Sequence, residues 1–377
     1  MRKPWSRLSR TPPRLPRLRP TRPSTSLPTP SRSDPPLGLS DDQRSGLVRT
    51  KLAALVRDLT GRSDLAADPV TVGAHAALVD EGTAYLLATE PGPAALAGAL
   101  VWAGAQGADR LVLLADDDPA GAPAVMARMA TEFAFPVEVR TVAGGSSVPA
   151  VPAPLPEVLP ADHAPEAVAA MAVEGLEVVA EQGVLRGELL GLEVARVVRW
   201  PVEHGGDGEL HLEAGVGRFD RDAVAEVHPN EAPEASLART VSMVRAQRYP
   251  GAAGHPMARM ARDRWLRVTV CENPSLVGAA ELHPVESTVE RPSVRDLSPA
   301  AAAGTMPDGS PVVVVCTAGV DLSLVPVAAD VRVLHAPGVR LVLAAPARDL
   351  LPSVARLAAL LVEPAEVVPV PAPWGAA

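Results

Sequence analysis

Two kinds of apolar pattern alternate in the first part of the chain. Residues 83–88, 110–115 and 136–142 have the pattern of short strands, and the second run is apolar enough to be buried. Residues 93–105 and 120–133 lie between them and favour helices. This strand–helix order predicts a parallel sheet with helices packed on it.

The same order returns near the C-terminus. Strands are predicted at 311–316, 340–345 and 365–370, and a helix at 351–361. The letters ArgLeuValLeu occur at 110–113 and again at 340–343, and a helix that contains an arginine follows each. These matches predict an internal repeat of one α/β unit. Chance similarity among Ala-, Val- and Leu-rich segments is the alternative.

The middle of the chain has a different pattern. A helix is predicted from His163 to Gln182, and strands at 189–200 and 209–217. HisGlyGlyAspGly at 204–208 is a hairpin signal between these strands. Further helices are predicted at 220–228 and 256–268, so the middle region is expected to be α+β.

These patterns predict an α/β protein in which two parallel α/β units flank an α+β, nuclease-like middle domain. A helix from Ser40 begins the first unit. The predicted divisions are a disordered basic tail at 1–39, an α/β unit at 40–142, a Pro/Gly/Ser linker at 143–162, the middle domain at 163–295 and an α/β unit at 296–377.

Composition supports a large folded protein and excludes several mechanisms. The chain has 377 residues, of which 47% are hydrophobic, and only two lysines, Lys3 and Lys51. No P-loop, pyridoxal-phosphate site or protein-kinase site can therefore be built after residue 51, because each needs a lysine. Arginine keeps the charge but not the titratable amine.

Charge is distributed unevenly along the chain. Residues 1–33 carry nine basic residues and no acidic one, although the whole chain has a formal charge of −9. The tail could contact nucleic acid or an acidic partner, be an unselected extension, or arise from a wrong start codon. The acidic remainder argues against broad, nonspecific DNA affinity.

Cysteine content and hydropathy predict a cytoplasmic protein without a membrane segment. Cys271 and Cys316 lie in apolar surroundings and are expected to be buried free thiols, which suits a reducing compartment. No apolar run reaches the ~18 residues that a membrane span requires.

Residues 163–228 place carboxylates at a helix end and on both arms of a hairpin, namely Glu181, Glu188, Glu193 and Glu213. This helix–hairpin–helix order resembles the core of the PD-(D/E)XK nuclease superfamily. The resemblance implies a metal-dependent nuclease with Mg²⁺ as cofactor, because this hard cation takes oxygen ligands. The bound ion would activate water and stabilise phosphoryl charge.

By that resemblance, each carboxylate has a catalytic counterpart. Glu181 matches the helix acid, and Glu188 or Glu193 matches the strand acid. Glu213 matches the first residue of the (D/E)xK element, and Glu193 and Glu213 would bind the metal. Gly215 stands where the family has lysine, which is compatible with an inactive relative. Alternatively, the glutamates are solvent-facing partners of nearby arginines in cross-strand pairs, with Arg186, Arg196, Arg199 and Arg218 available.

Residues 254–267 form the most basic part of the predicted folded region. Arg259, Arg262 and Arg267 lie on a predicted helix and could bind nucleic-acid phosphates. Alternatively, the helix buries a stripe that includes Ala261 and Trp265, and its arginines pair with nearby acids.

Two functional classes follow. The first is a divergent metal-dependent nuclease, active or inactive, or a nucleic-acid-binding relative of one. The second is a non-enzymatic cytosolic interaction or scaffold protein that binds a protein partner or forms a homo-oligomer.

Overall fold

A computed structural model describes residues 40–202, 206–227, 231–252, 254–291, 293–296 and 298–375. The predicted tail at 1–39 lies outside the described residues, as do residues 203–205 of the loop around the predicted hairpin turn. The described residues form mixed α/β structure with three sheets, which confirms the α/β class. None of the described helices is long and apolar enough to cross a bilayer.

The first sheet and its helices occupy the N-terminal region. Their bounds are α1 (Asp41–Thr60), β1 (Val70–Val72), β2 (His75–Asp80), β3 (Thr83–Ala88), α2 (Pro93–Ala105), β4 (Arg110–Asp116), α3 (Ala122–Ala130), β5 (Val137–Ala143) and β6 (Ser146–Pro149). The strands follow chain order across the sheet. β3, β4 and β5 pair in parallel, as predicted, and the outer pairs are antiparallel. β6 lies inside the predicted linker at 143–162.

The middle region contains an antiparallel sheet and four helices. Their bounds are α4 (Pro165–Val173), β7 (Glu177–Glu181), β8 (Val184–Leu189), β9 (Leu192–Arg199), β10 (Leu210–Ala214), α5 (Gly217–Val227), α6 (Pro233–Gln247) and α7 (Arg262–Glu272). The sheet order is β10-β9-β8-β7. The pairing of β9 with β10 confirms the predicted hairpin.

The third sheet completes the chain. Its elements are β11 (Glu281–Val285), β12 (Ala300–Thr305), β13 (Pro311–Cys316), α8 (Leu324–His335), β14 (Arg340–Ala345), α9 (Pro352–Ala359) and β15 (Glu366–Pro369). β13, β14 and β15 are parallel, and β11 and β12 join them antiparallel. The strands β12 to β15 therefore have the same order and directions as β2 to β5.

One apolar core joins the first and third sheets. α2, α3, α8 and α9 lie between them, and their side chains form one cluster with Leu86 and Leu113 of the first sheet and Val313 and Leu343 of the third. Burial on both faces explains the nearly continuous apolar runs of the central strands.

One helix covers the outer face of each of these two sheets. Leu52, Leu55 and Val56 of α1 pack against the first sheet. Trp265 and Leu266 of α7 pack against the third. Apolar side chains therefore hold both helices, and Cys316 is a buried free thiol beneath α7.

The helix predicted from His163 to Gln182 is too long. It ends at Val173, and Gly175 has a φ of +69°, a left-handed conformation that commonly terminates helices. The β-branched residues that follow form β7. Glu181 therefore lies at the end of a strand and not, as predicted, at the end of a helix.

Two other predicted elements have different bounds. The strand predicted at 189–200 begins in a turn, because Leu190 and Gly191 have positive φ and connect β8 to β9. The helix predicted at 256–268 is divided into a short 3₁₀ turn at Pro256–Ala258 and α7.

Candidate functional site

The two faces of the middle sheet differ in character. Val197 and Ala214 lie on one face, in an apolar cluster with Leu237 and Val241 of α6. Successive side chains on a strand point to opposite faces, so the intervening residues form the other face. That second face is charged.

A bulge in β9 concentrates charge on this face. Arg186 lies opposite Arg196, and Glu188 lies opposite Glu193, so β9 contains one more residue than β8 between these pairs. In a regular strand, Glu193 and Arg196 would point to opposite faces because three positions separate them. The extra residue brings both to the charged face.

Arginines and glutamates alternate in a continuous series of ion pairs, called here the ion-pair chain. It starts on α7, crosses the charged face and ends on the β9–β10 hairpin, in the order Arg267, Glu188, Arg264, Glu181, Arg186, Glu193, Arg221, Glu213 and Arg196. Elements that are distant in sequence are thereby joined by charge-assisted hydrogen bonds.

The α7 end of the ion-pair chain is the more deeply buried. Arg267 Nη2 lies 2.6 Å from Glu188 Oε2, and Arg264 Nη1 lies 2.5 Å from Glu188 Oε1. Glu188 is 1% exposed. Arg264 also donates to Glu181. Two guanidinium groups thus compensate one buried carboxylate, as a charge in such a place requires.

The hairpin end is closed by α5. Arg221 Nη1 donates to Glu193 Oε1 at 3.0 Å, and Arg186 donates to the other oxygen of the same carboxylate. Arg196 donates through Nε and Nη2 to Glu213 Oε2, both at 3.0 Å. The four predicted catalytic carboxylates therefore belong to one network, and each has an arginine partner.

The alternative of cross-strand charge pairs is confirmed in two cases and modified in a third. Arg186 pairs with Glu193 and Arg196 with Glu213, but Arg199 pairs with Asp162 at 3.1 Å. The first two pairs are largely buried and not solvent-facing. Within the described ranges, no group of three or more His, Cys, Asp or Glu side chains is arranged to hold a metal ion.

Burial and pairing oppose each other in the pKa of Glu181. Burial alone would raise this pKa, but Arg264 and Arg186 outweigh burial and hold it below the ordinary value. Glu177, without such close pairs, has a raised pKa because burial dominates. Glu181 is therefore held as a carboxylate, which keeps the centre of the ion-pair chain charged.

A cleft of about 900 Å³ opens beside the ion-pair chain. Seven arginines line it: Arg186, Arg196, Arg218, Arg221, Arg264, Arg291 and Arg295. Four carboxylates line it as well: Glu181, Glu193, Asp220 and Glu290. Glu188, Glu213 and Asp263 lie behind the lining and pair with Arg264, Arg196 and Arg291, so the excess of arginine in the lining is largely compensated.

Four buried N–H groups at this cleft have no hydrogen-bond acceptor among the described residues. They are Nε of Arg186, Nε of Arg221, and both Nε and Nη1 of Arg291. Arg186 Nε lies 3.3 Å from Glu181 and Arg221 Nε lies 3.8 Å from Glu213, close enough for Coulomb attraction but without hydrogen-bond geometry. These atoms are covered from solvent, so an acceptor on a bound molecule would satisfy them only after the arginine side chains shift toward the cleft.

The three arginines predicted to bind nucleic acid lie in different environments. Arg259 is exposed. Arg262 stacks over Trp374 at 4.9 Å and donates to the carbonyl of Ala258. Arg267 is 1% exposed and is held by Glu188, so it cannot reach a ligand at the surface. Trp265 belongs to the buried stripe, as the alternative predicted.

Sequence reasoning overlooked the loop between β11 and β12. Arg291 and Arg295 lie there, and Arg291 reaches Asp263 on α7. Nothing in the local sequence marks these arginines, and the abundance of arginine over lysine is only a general signal. Comparisons with protein-family models, with curated proteins and with solved structures find no match, so the cleft must be interpreted from its own chemistry.

Proposed function

We propose that this protein is a binding module that holds a phosphate-bearing anion in the arginine-lined cleft. The observation that carries the proposal is the convergence of seven arginines on one cleft, where four of their N–H groups have no acceptor among the described residues. A buried donor without a partner costs about 1–3 kcal/mol, so a ligand oxygen that accepts from it has a clear energetic advantage.

Arginine chemistry favours phosphate over a single point charge. The planar guanidinium presents donors in a fork that matches phosphate oxygens, and it is less strongly hydrated than an ammonium group. The chain has no lysine after Lys51, and the lining of the cleft contains none, so arginine supplies the cationic side chains there.

The ion pairs favour this function over the nuclease hypothesis. To bind Mg²⁺, Glu193 would have to exchange Arg186 and Arg221 for the metal, and Glu213 would have to exchange Arg196. The motif lysine is also replaced by Gly215. The proposal therefore develops the non-enzymatic alternative, and a metal-dependent nuclease stays a prediction.

Calorimetric titration of the full chain with pyrophosphate tests the proposal. We expect saturable binding that weakens as NaCl is added, because screening reduces attraction to the arginines. Arg295→Gln removes an exposed cleft arginine and should weaken binding about tenfold. Arg259→Gln removes an exposed arginine that does not line the cleft, and should leave binding unchanged.

Two results would overturn the proposal. One is no binding of pyrophosphate at millimolar concentration, and the other is an equal loss of affinity in both variants. Titration with Mg²⁺ of the wild type and of Glu213→Ala adds a direct comparison with the nuclease hypothesis. Binding of Mg²⁺ that disappears in the variant would favour the nuclease.

We also propose that the first and third sheets derive from an internal repeat. The shared order of β2–β5 and β12–β15 supports this origin. An antiparallel bridge between Phe133 and Leu361 supports it further, because both residues follow the second helix of their unit. A bridge between equivalent positions is what a two-fold relation between copies would produce.

A further inference from the structure

An aromatic pair stands at the edge of the charged face. The Trp200 indole and the His211 imidazole stack with ring centroids 4.0 Å apart and an interplanar angle of 17°. Asp207 accepts from His211 Nε2 at 2.9 Å and so fixes the imidazole. Trp200 is 45% exposed although His211 covers one indole face.

The register places this pair on the same face as the cleft arginines. Glu213 lies opposite Arg196, and His211 lies opposite Val198. Alternate residues share a face, so His211 joins Glu213, and Trp200 continues the series of Arg196 and Val198. β10 is an edge strand of this sheet.

One carboxylate connects the indole to the cleft. Trp200 Nε1 donates to Glu213 Oε1 at 3.2 Å, and Arg196 donates to Glu213 Oε2 at 3.0 Å. Arg196 lines the cleft. The side chain of Glu213 thus links the indole to the Arg196 guanidinium, which faces the site of the proposed anion.

We propose that the ligand is a nucleoside phosphate, with its base stacked on Trp200 and its phosphate groups in the arginine-lined cleft. This inference rests on the proposed function, since the phosphate must bind there. An exposed indole near an arginine-lined cleft matches the two parts of such a ligand, a flat ring and an anion. Trp200 lies outside the lining of the cleft and is linked to it through Glu213 and Arg196.

The test compares ADP with pyrophosphate by calorimetry on the full chain and on Trp200→Leu. Base stacking on an aromatic side chain typically changes affinity about tenfold or more. We therefore expect Trp200→Leu to weaken ADP binding about tenfold and to leave pyrophosphate binding unchanged. ADP should also quench tryptophan fluorescence in the wild type, and this quenching should be lost in the variant.

Two further variants keep the result interpretable. His211→Ala removes the imidazole that stacks on the indole and should weaken ADP binding by less than Trp200→Leu does. Folding should change little, because the pair lies at an exposed edge. Tyr249→Leu removes an exposed aromatic side chain that lies outside the middle sheet, and should change neither affinity.

The outcomes separate the two proposals. If the wild type does not bind pyrophosphate, the proposed function fails. If pyrophosphate binds but Trp200→Leu leaves ADP affinity within about twofold, or weakens both ligands equally, only the nucleoside inference is overturned. If the inference holds, a 5′-phosphorylated penta-adenylate distinguishes the source of the ligand. Tighter binding than ADP indicates a strand end, and weaker binding indicates a free nucleotide.

Discussion

Helices α1 and α7 have the same structural role on two sheets of the same strand order. They differ in the surface that faces away from that sheet. Each covers the outer face of its sheet with apolar side chains. The remaining surface of α1 is largely exposed, whereas α7 also buries Asp263, Arg264 and Arg267. α7 lies between the third sheet and the middle sheet, so its second surface meets the charged face.

This difference explains where chemistry could arise in the molecule. α1 needs only one apolar stripe, and any helix with such a stripe would serve. α7 must satisfy an apolar sheet and buried carboxylates at once, which ties its arginines to specific partners. The first and third sheets therefore share a strand order, whereas the cleft lies beside the charged face of the middle sheet.

The largest expected loss of stability follows removal of a buried carboxylate that pairs with α7 and not with α1. Glu188→Ala leaves Arg264 and Arg267 buried without their shared carboxylate and should lower the free energy of unfolding by about 3–5 kcal/mol. Urea denaturation measures this loss. Glu366→Ala breaks an exposed pair with Arg340 and should cost less than about 1 kcal/mol. Equal losses would show that the burial of Glu188 has no energetic consequence.

A slightly smaller effect is expected from the apolar surface that α1 and α7 share. Leu55→Ala on α1 and Leu266→Ala on α7 each remove a buried side chain and should each lower the free energy of unfolding by about 2–4 kcal/mol. The comparison of the helices predicts similar losses by urea denaturation. A loss confined to one helix would contradict their equivalent role.

The smallest effect concerns pH. The pKa of Glu181 is lowered in the folded protein, so its ionised form stabilises the fold above the ordinary carboxyl pKa of 4.5. That contribution is lost as pH falls below 4.5 through the lowered folded value. The unfolding temperature should therefore fall on acidification more steeply in the wild type than in Glu181→Gln. Parallel pH profiles would exclude Glu181 as a source of the dependence.

Much of the secondary structure could be predicted from the pattern of apolar residues. The bounds of β3, β13 and β14 are those predicted, because burial on both faces of the sheet makes these strands continuously apolar. The bounds of α2 are also those predicted. α8 was not predicted, since Pro326 interrupts its apolar run. In the structure this proline lies in the first helical turn, where its missing N–H is not needed.

The site was predicted only in its parts. Glu181, Glu188, Glu193 and Glu213 were selected from their order along the chain, and the structure joins them in one network. The sequence names a set of nearby arginines without choosing pairs, and the register of neighbouring strands pairs Arg186 with Glu193 and Arg196 with Glu213. The contacts of Arg264 and Arg291 depend on how α7 and the β11–β12 loop pack, which no local spacing encodes.

The sequence by itself therefore determined the class of fold, the alternation of strands and helices in two similar units, and the absence of lysine chemistry after residue 51. Tertiary structure decided which charges meet and where the cleft opens. The physical reason is that hydrophobic burial is non-directional and appears in the sequence as a periodic pattern of apolar residues. Ion pairs need a specific geometry, and here they join residues as far apart in sequence as Glu181 and Arg264.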